Sequence, residues 1–165
     1  MKKIQVKPLT AEAFAKYGSF AMMVNPKGPK LGKEPVEFYR DMVPLETCGA
    51  SPMFSVCRVK SRPAVIDVTE YHTRCGEGML ALDSDVLMHF GIATADGKPP
   101  LDEIEVFRVP KGTFLAIRPG VWHHAPFTAG ASESNVLIVL PERTYANDCV
   151  VVELPAGQRM QIDEE

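Results

Sequence analysis

The sequence predicts an all-β sandwich or barrel that forms one domain, with a single short helix near its beginning. Nine short apolar or alternating runs follow one another between residues 36 and 154, a pattern typical of the strands of such a fold. Clusters of Pro, Gly, Asp and Ser separate these runs, as turns do. A chain of 165 residues is also long enough to bury one core without disulfide staples.

The helix is predicted at Thr10–Tyr17, where Thr10 can cap the amino end, Glu12 lies in the first turn and Gly18 ends the segment. The segment that follows, Pro26–Pro35, is rich in Pro, Gly and Lys. This composition predicts a mobile surface loop, and a lid or a dimer arm is the alternative interpretation.

The remaining elements are strands, and the end of the chain is expected to fray. We treat residues 1–165 as one domain in which residues 158–165, ending Asp-Glu-Glu, form a loose tail. The predicted strands are Val36–Met42, Met53–Lys60, Ala64–Thr73, Val86–Thr94, Ile104–Val109, Thr113–Arg118, Val121–Phe127, Asn135–Leu140 and Asp148–Leu154.

Composition argues against several classes of protein. A formal net charge of -3 weakly repels polyanions, so we expect no nucleic-acid partner. No apolar run reaches the roughly 18 residues of a membrane span, and none follows the first lysines, so we expect neither insertion nor export. The four cysteines have no C-x-x-C spacing, which favours reduced thiols and a cytoplasmic location: Cys48, Cys57, Cys75 and Cys149.

Two polar clusters in strand-like segments could hold a metal ion. Glu70 and His72 alternate onto the same face of an extended strand, and Gly76 allows a turn that returns Glu77 toward them. His123 follows a Pro-Gly pair on a later strand and would complete the set if the strands wrap into one barrel. Such oxygen and nitrogen donors suit Ni, Mn, Fe or Zn.

Each of these residues also has an ordinary structural interpretation. The Glu-x-His pair could be solvent-facing polar alternation, and the pair His123-His124 could lie at a strand edge beside a core Trp122. His124 is expected to face away from His123 and to have a structural or dimer-interface role. His89, inside an apolar run, is expected to be buried and hydrogen-bonded.

The spacing of the two clusters resembles the two motifs of the cupins. Glu70-x-His72-x4-Glu77 is similar to the first cupin motif, with Glu in place of its leading His. Gly112 to His123 is similar to the second motif, with Pro119 and Gly120 adjacent rather than separated. The resemblance implies a cupin-type double-stranded β-helix, or jelly-roll barrel.

A closer resemblance, to the ureidoglycolate lyases of allantoin catabolism, runs over nearly the whole chain. It rests on ordered matches that include IQVKPLTAEAFAKYG from Ile4, VEFYRD from Val36, GVWHHAPF from Gly120, and Asn147-Asp148-Cys149. The chain departs from that family at Glu77-Gly78-Met79, where the family usually has Gln and a bulky apolar pair. Because of this departure, the alternative is that the chain is a divergent member of that family and acts on a different substrate.

The resemblance implies an enzyme that releases urea and glyoxylate from ureidoglycolate with a divalent metal. Glu70, His72 and His123 are the expected ligands; Glu77 is either a fourth ligand or the general base, and Glu70 and Glu77 are the expected catalytic residues. Arg58 is expected to bind the substrate carboxylate, with a surface ion pair as its alternative.

Two other hypotheses remain open at this point. One is another metal-dependent cupin enzyme that acts on a different small hydroxy or keto acid. The other is a non-catalytic cupin that binds a small ligand. The resemblance also implies a homodimer formed through edge strands.

Overall fold

The computed structural model describes residues 1–164 and confirms the predicted all-β, cupin-type jelly-roll fold. The helical elements are two four-residue helices, α1 (Ala11–Phe14) and α2 (Thr144–Asn147), and the 3₁₀ turn Ala156–Gln158. The strands are β1 (Lys2–Pro8), β2 (Gly18–Met22), β3 (Lys30–Lys33), β4 (Val36–Tyr39), β5 (Pro52–Lys60), β6 (Val65–Ile66), β7 (Val68–Tyr71), β8 (Glu77–Ala81), β9 (Val86–Phe90), β10 (Glu105–Val109), β11 (Thr113–Ile117), β12 (Phe127–Thr128), β13 (Glu133–Pro141), β14 (Val150–Glu153) and β15 (Met160–Asp163).

Two large sheets form the barrel. One has six strands in the order β12-β9-β10-β1-β15-β6, and the other has five in the order β2-β11-β8-β13-β5. Strand β1 runs parallel to both of its neighbours, β10 and β15, whereas the pairs within the five-stranded sheet are antiparallel. Strands β7 and β14 form a separate pair, and β3 and β4 form an exposed hairpin.

The main core lies between the two large sheets. Met79 from the five-stranded sheet packs in one buried cluster with Met88 and Phe107 from the six-stranded sheet. Leu87 and Val106, which alternate with these residues along β9 and β10, belong to a second buried cluster. Side chains therefore pack on both faces of β9, which explains why all of its residues are buried and nearly all are apolar.

The amino-terminal elements partly match the predictions. Thr10 caps α1 by accepting a hydrogen bond from the Ala13 amide, but the helix ends at Phe14 rather than Tyr17. Phe14 packs edge-on against Phe90 in the core. The segment predicted as a loop, Pro26–Pro35, contains strand β3, because its residues pair with β4 across a tight connection.

The carboxyl-terminal expectation is corrected. Residues 160–163 do not fray, because they form β15 between β1 and β6. Met160 and Ile162 are buried in the second cluster and supply the apolar contacts that hold the strand. Glu165, the last residue of the predicted tail, lies outside the described residues.

Besides β3 and β15, three strands were not anticipated, and one anticipated strand is irregular. Strands β1, β2 and β8 are absent from the predicted set, although β8 is central in its sheet. In the predicted strand Val121–Phe127, residues 121–126 form only two isolated bridges, Glu70 with His123 and Gly91 with Trp122. Pro126 interrupts this segment because it has no amide hydrogen to donate.

None of the helices within residues 1–164 is long and apolar enough to cross a membrane.

Candidate metal centre and active site

The site lies where β7 ends, β8 begins and the Trp122-His123 segment crosses them. Glu70 is on β7, and its backbone exchanges two hydrogen bonds with His123: the Glu70 amide donates over 2.6 Å and the His123 amide over 2.9 Å. His72 follows directly after β7, and Glu77 is the first residue of β8. Backbone pairing therefore brings together the two sequence clusters that were predicted to converge.

Gly76 makes the tight connection from His72 to Glu77 possible. A side chain at this position would place its Cβ 2.4 Å from the carbonyl oxygen of Ile117. The Gly76 amide also donates to the carbonyl of Glu46. The close approach of backbone to backbone thus requires glycine and fixes where β8 starts.

Gly120 and Trp122 position the second cluster. Gly120 has a left-handed φ of 82°, and its amide donates to the carbonyl of His72 over 2.6 Å. Trp122 is fully buried, with its indole nitrogen donating to Thr94 Oγ1 over 3.0 Å and its ring 4.4 Å from that of Tyr71. These contacts set the backbone that directs His123 inward.

Three side chains present metal-ligating atoms to one point. The ligand atoms of Glu70, His72 and His123 all lie within 4.8 Å of one another. His72 and His123 are buried, with 4% and 2% of their surface exposed. Buried imidazoles beside carboxylates are the donor set expected for a borderline divalent ion.

Both histidines are held by their Nδ1 atoms. His72 Nδ1 donates to the carbonyl of Asp148 over 2.7 Å, and His123 Nδ1 donates to that of Val121 over 2.9 Å. Since a carbonyl can only accept, each Nδ1 carries the hydrogen. A neutral ring then turns the lone pair of Nε2 toward the site, which is the usual arrangement of a metal-bound histidine.

Glu77 faces both histidines through a single oxygen. Its Oε2 lies 3.0 Å from His72 Nε2 and 2.9 Å from His123 Nε2. With hydrogens already on both Nδ1 atoms, these contacts are hydrogen bonds only if the rings are protonated imidazolium ions. A divalent cation bound by the two Nε2 atoms would give each of them a partner while both rings stay neutral. The donor set therefore fits a metal.

The Glu77 carboxyl is held in its ionised form. Burial alone would raise its pKa, but the charge and hydrogen bond of His123, followed by those of His72, outweigh burial and bring the pKa to about 2. The same pairing raises the pKa of His123 against the lowering effect of burial. Glu77 is thus ionised at neutral pH.

Asp148 and Cys149 make hydrogen bonds that hold the loop after His72 and the carboxylate of Glu70. The Asp148 carboxylate accepts hydrogen bonds from the Thr73 amide, the Thr73 hydroxyl and the Arg74 amide, which fixes the loop after His72. The Cys149 thiol donates to Glu70 Oε2 over 3.4 Å. Their only sequence signal was the Asn147-Asp148-Cys149 match, which carried no assigned role.

A cavity of about 170 Å³ opens over the site. The four polar candidates line it together with His124, and the rest of the wall is mostly apolar: Cys57, Met79, Met88, Ala125, Pro126, Ile138, Leu140, Tyr145 and Cys149. The expectation that His124 faces away from His123 is corrected, because this segment does not alternate as a regular strand. Burial is the main cause that lowers the pKa of His124.

Arg58 does not line the cavity over the metal site. Its neighbour Cys57 lines the cavity, and side chains alternate along β5, so Arg58 points to the other face. Its guanidinium is 3.7 Å from the carboxylate of Glu133 and 62% exposed. The structure therefore places Arg58 in the surface ion pair that was its alternative interpretation. His89 is buried as expected, with Nε2 3.2 Å from the Thr69 hydroxyl.

Solved structures resemble the fold at low sequence identity. A dTDP sugar isomerase from Desulfovibrio desulfuricans G20 is 12% identical, with 85% of this chain and 86% of that chain covered and a TM-score of 0.50. A Bacillus subtilis oxalate decarboxylase with Mn(II) centres is 14% identical, with a TM-score of 0.44. The match covers 65% of this chain but only 25% of the decarboxylase.

Sequence comparisons give one family. None of the curated proteins is similar enough to this chain to count as a match. The family model described as ureidoglycolate lyase matches residues 1–162.

Proposed function

Because the chain belongs to the ureidoglycolate lyase family of enzymes, we propose that it releases urea and glyoxylate from ureidoglycolate in purine nitrogen catabolism. The observation that carries the proposal is the convergence of Glu70, His72 and His123 within 4.8 Å beside an ionised Glu77. The metal is Ni, Mn, Fe or Zn, with these three residues as its ligands. When bound, it supplies a Lewis acid that lowers the pKa of a coordinated hydroxyl.

Glu77 moves the proton. Its ionised carboxylate accepts the proton of the carbinol hydroxyl as the carbon–oxygen double bond of glyoxylate forms and the bond from carbon to the urea nitrogen breaks. Glu77 then returns the same proton to the departing nitrogen, so the reaction balances without a second acid. The apolar wall around Met79 and Met88 keeps water away from this transfer.

Variants of the two histidines and of Glu77 distinguish loss of metal binding from loss of proton transfer. We expect His72→Ala and His123→Ala each to lose most of the bound metal and, with it, urea and glyoxylate release. Glu77→Gln should keep metal near the wild-type amount while the rate falls by about 10²–10⁴-fold, the usual contribution of a general base.

Elemental analysis and a urea-release assay measure both effects, with Arg58→Ala as the control that should match wild type. Metal that is absent from the wild type, or unchanged in both histidine variants, would contradict the metal mechanism. Loss of metal in Glu77→Gln would instead make Glu77 a fourth ligand.

A larger cavity next to the metal site favours a second candidate reaction. A further cavity of about 540 Å³ adjoins the first, and pockets of roughly 300–1,000 Å³ accept drug-sized ligands. The same metal site could therefore act on a larger hydroxy or keto acid. A panel of such acids, assayed on metal-loaded protein, would show faster turnover than ureidoglycolate if this candidate is correct.

We also propose a cytoplasmic homodimer. All four cysteines carry free thiols, which fits a reducing compartment. Strand β5 is the edge of its sheet and exposes Met53, Phe54 and Val56, and such an edge is suited to pairing with a second copy. Sedimentation equilibrium that gives a monomer mass at micromolar concentration would contradict the dimer.

A further inference from the structure

We propose that Arg143 binds the carboxylate of the substrate at the mouth of the active site, in the role that the sequence suggested for Arg58. The inference rests on the proposed function for the identity of the substrate. It concerns any small carboxylic acid that reaches the same metal site.

The position of Arg143 follows from two adjoining cavities. The outer cavity of about 540 Å³ is lined by Arg143, and four residues line both this cavity and the one over the metal ligands: Cys57, Ile138, Leu140 and Tyr145. The two cavities therefore lie side by side and share these walls. Arg143 thus lines the cavity that adjoins the one over the metal ligands, within the approach that we propose for the substrate.

Arg143 differs in its positive charge from the other residues that line the two cavities. Among the described residues that line the two cavities, Arg143 is the one lysine or arginine. Arg58 points to the other face of β5. Arg62 is committed to other contacts, because its guanidinium lies 4.1 Å from the centre of the Phe127 ring and donates to the carbonyls of Ala125 and Pro126. A guanidinium is also the group best shaped to hold a carboxylate by two hydrogen bonds.

The backbone of Arg143 is unusual for an arginine. Its φ of 60° and ψ of 25° place it in the left-handed region, directly before α2, and its carbonyl accepts from the amides of Ala146 and Asn147. Residues other than glycine adopt this region at a cost. An arginine at a position that glycine would occupy with less strain is consistent with a requirement for its side chain.

Glu142 competes for the same guanidinium. Its Oε1 lies 3.5 Å from Arg143 Nε, and both side chains are largely exposed, at 66% and 70%. An exposed pair of this kind is weak, so a substrate carboxylate can displace it. Removal of the Glu142 charge should therefore strengthen substrate binding.

The test compares Arg143→Gly, Arg143→Lys and Glu142→Gln, with Arg58→Ala as the matched control. Arg143→Gly should raise KM for ureidoglycolate and the Kd for glyoxylate by roughly 10–100-fold, as expected for a lost charge-assisted hydrogen bond. Its metal content should stay at the wild-type amount, and its thermal midpoint should be no lower. Arg143→Lys should recover part of the loss, and Glu142→Gln should lower KM about 2-fold.

Glyoxylate binding by calorimetry separates this inference from the proposed function. If the wild type does not turn over ureidoglycolate but Arg143→Gly still weakens glyoxylate binding, the proposed substrate is incorrect and the role of Arg143 stands. An unchanged KM and glyoxylate Kd in Arg143→Gly would overturn the role of Arg143 and leave the lyase activity intact. A wild type that binds no glyoxylate would overturn it as well.

Discussion

At the scale of single residues, Glu105 shows how a partly buried carboxylate contributes to stability. Its oxygens accept hydrogen bonds from Lys7 over 2.5 Å and from the Tyr17 hydroxyl over 2.8 Å, and Lys16 lies 2.9 Å away. Burial would raise the pKa of Glu105, but these partners outweigh it and hold the pKa at about 2. Glu105 therefore stabilises the fold while it is ionised.

This pairing predicts a pH-dependent effect of Glu105→Gln. The folded pKa lies below the ordinary value of 4.5, so the stabilisation is fully present above about pH 5 and is lost as the pH falls toward 2. We expect the variant to lose about 1–2 kcal/mol of unfolding free energy at pH 7 and less at pH 3. Urea unfolding at both values measures this, with exposed Glu153→Gln as control; equal losses at both pH values would contradict it.

The residues of the site were predictable to different degrees. The convergence of Glu70, His72 and His123 was predictable because motif spacing indicates which side chains share a barrel interior. Arg58 was misplaced because the face of a strand residue depends on register, which a charged residue on an alternating strand does not reveal. The proposed role of Arg143 had no sequence signal, since local composition does not indicate the left-handed backbone at this position.

At the scale of elements, the connection into β8 depends on Gly76. An alanine there would bring its Cβ within 2.4 Å of the Ile117 carbonyl, so the backbone must shift. We expect Gly76→Ala to cost about 1–3 kcal/mol of stability and to weaken metal binding, because Gly76 lies in the tight connection that begins at His72. Gly157→Ala, where no atom lies within 4 Å, is the matched control.

Thermal unfolding and metal titration would measure the effects of Gly76→Ala. If both alanine variants unfold at the wild-type temperature and bind metal equally, the close approach at Gly76 does not constrain the site.

The elements that the sequence missed share a physical cause. Strand β8 follows Gly76 and contains Gly78, and these glycines predict a turn. Pairing with β11 and β13 on both sides nevertheless fixes β8 as a central strand. Strand β3 lies in a Pro- and Gly-rich segment, where only its partner β4 makes it extended. In both strands pairing with a neighbouring strand overrides the preference of the strand's own residues.

At the scale of the whole molecule, the continuity of the six-stranded sheet depends on β15, the last of its strands in the chain. β15 lies between β1 and β6, and its residues Met160 and Ile162 are only 1% and 4% exposed. A chain that ends at Arg159 would uncover β1 and leave a gap in the second cluster. We expect it to lose cooperative thermal unfolding, since each buried side chain of this size contributes about 2–5 kcal/mol.

The control is a chain that ends at Asp163. It loses the exposed hydrogen bond between Glu164 and Arg108, which is worth about 1 kcal/mol or less. Circular dichroism melting distinguishes the two truncations. Identical cooperative transitions would show that β15 is dispensable.

The pairing of β1 also has a consequence for synthesis on the ribosome. Lys2 to Gln5 pair with Met160 to Asp163, and Val6 to Pro8 pair with Val106 to Arg108. Strand β1 therefore leaves the ribosome before either of its partners, β10 and β15, has been translated. Pairing of β1 is thus a late step of folding, and until β10 and β15 emerge the strand is exposed to any chaperone that binds extended segments.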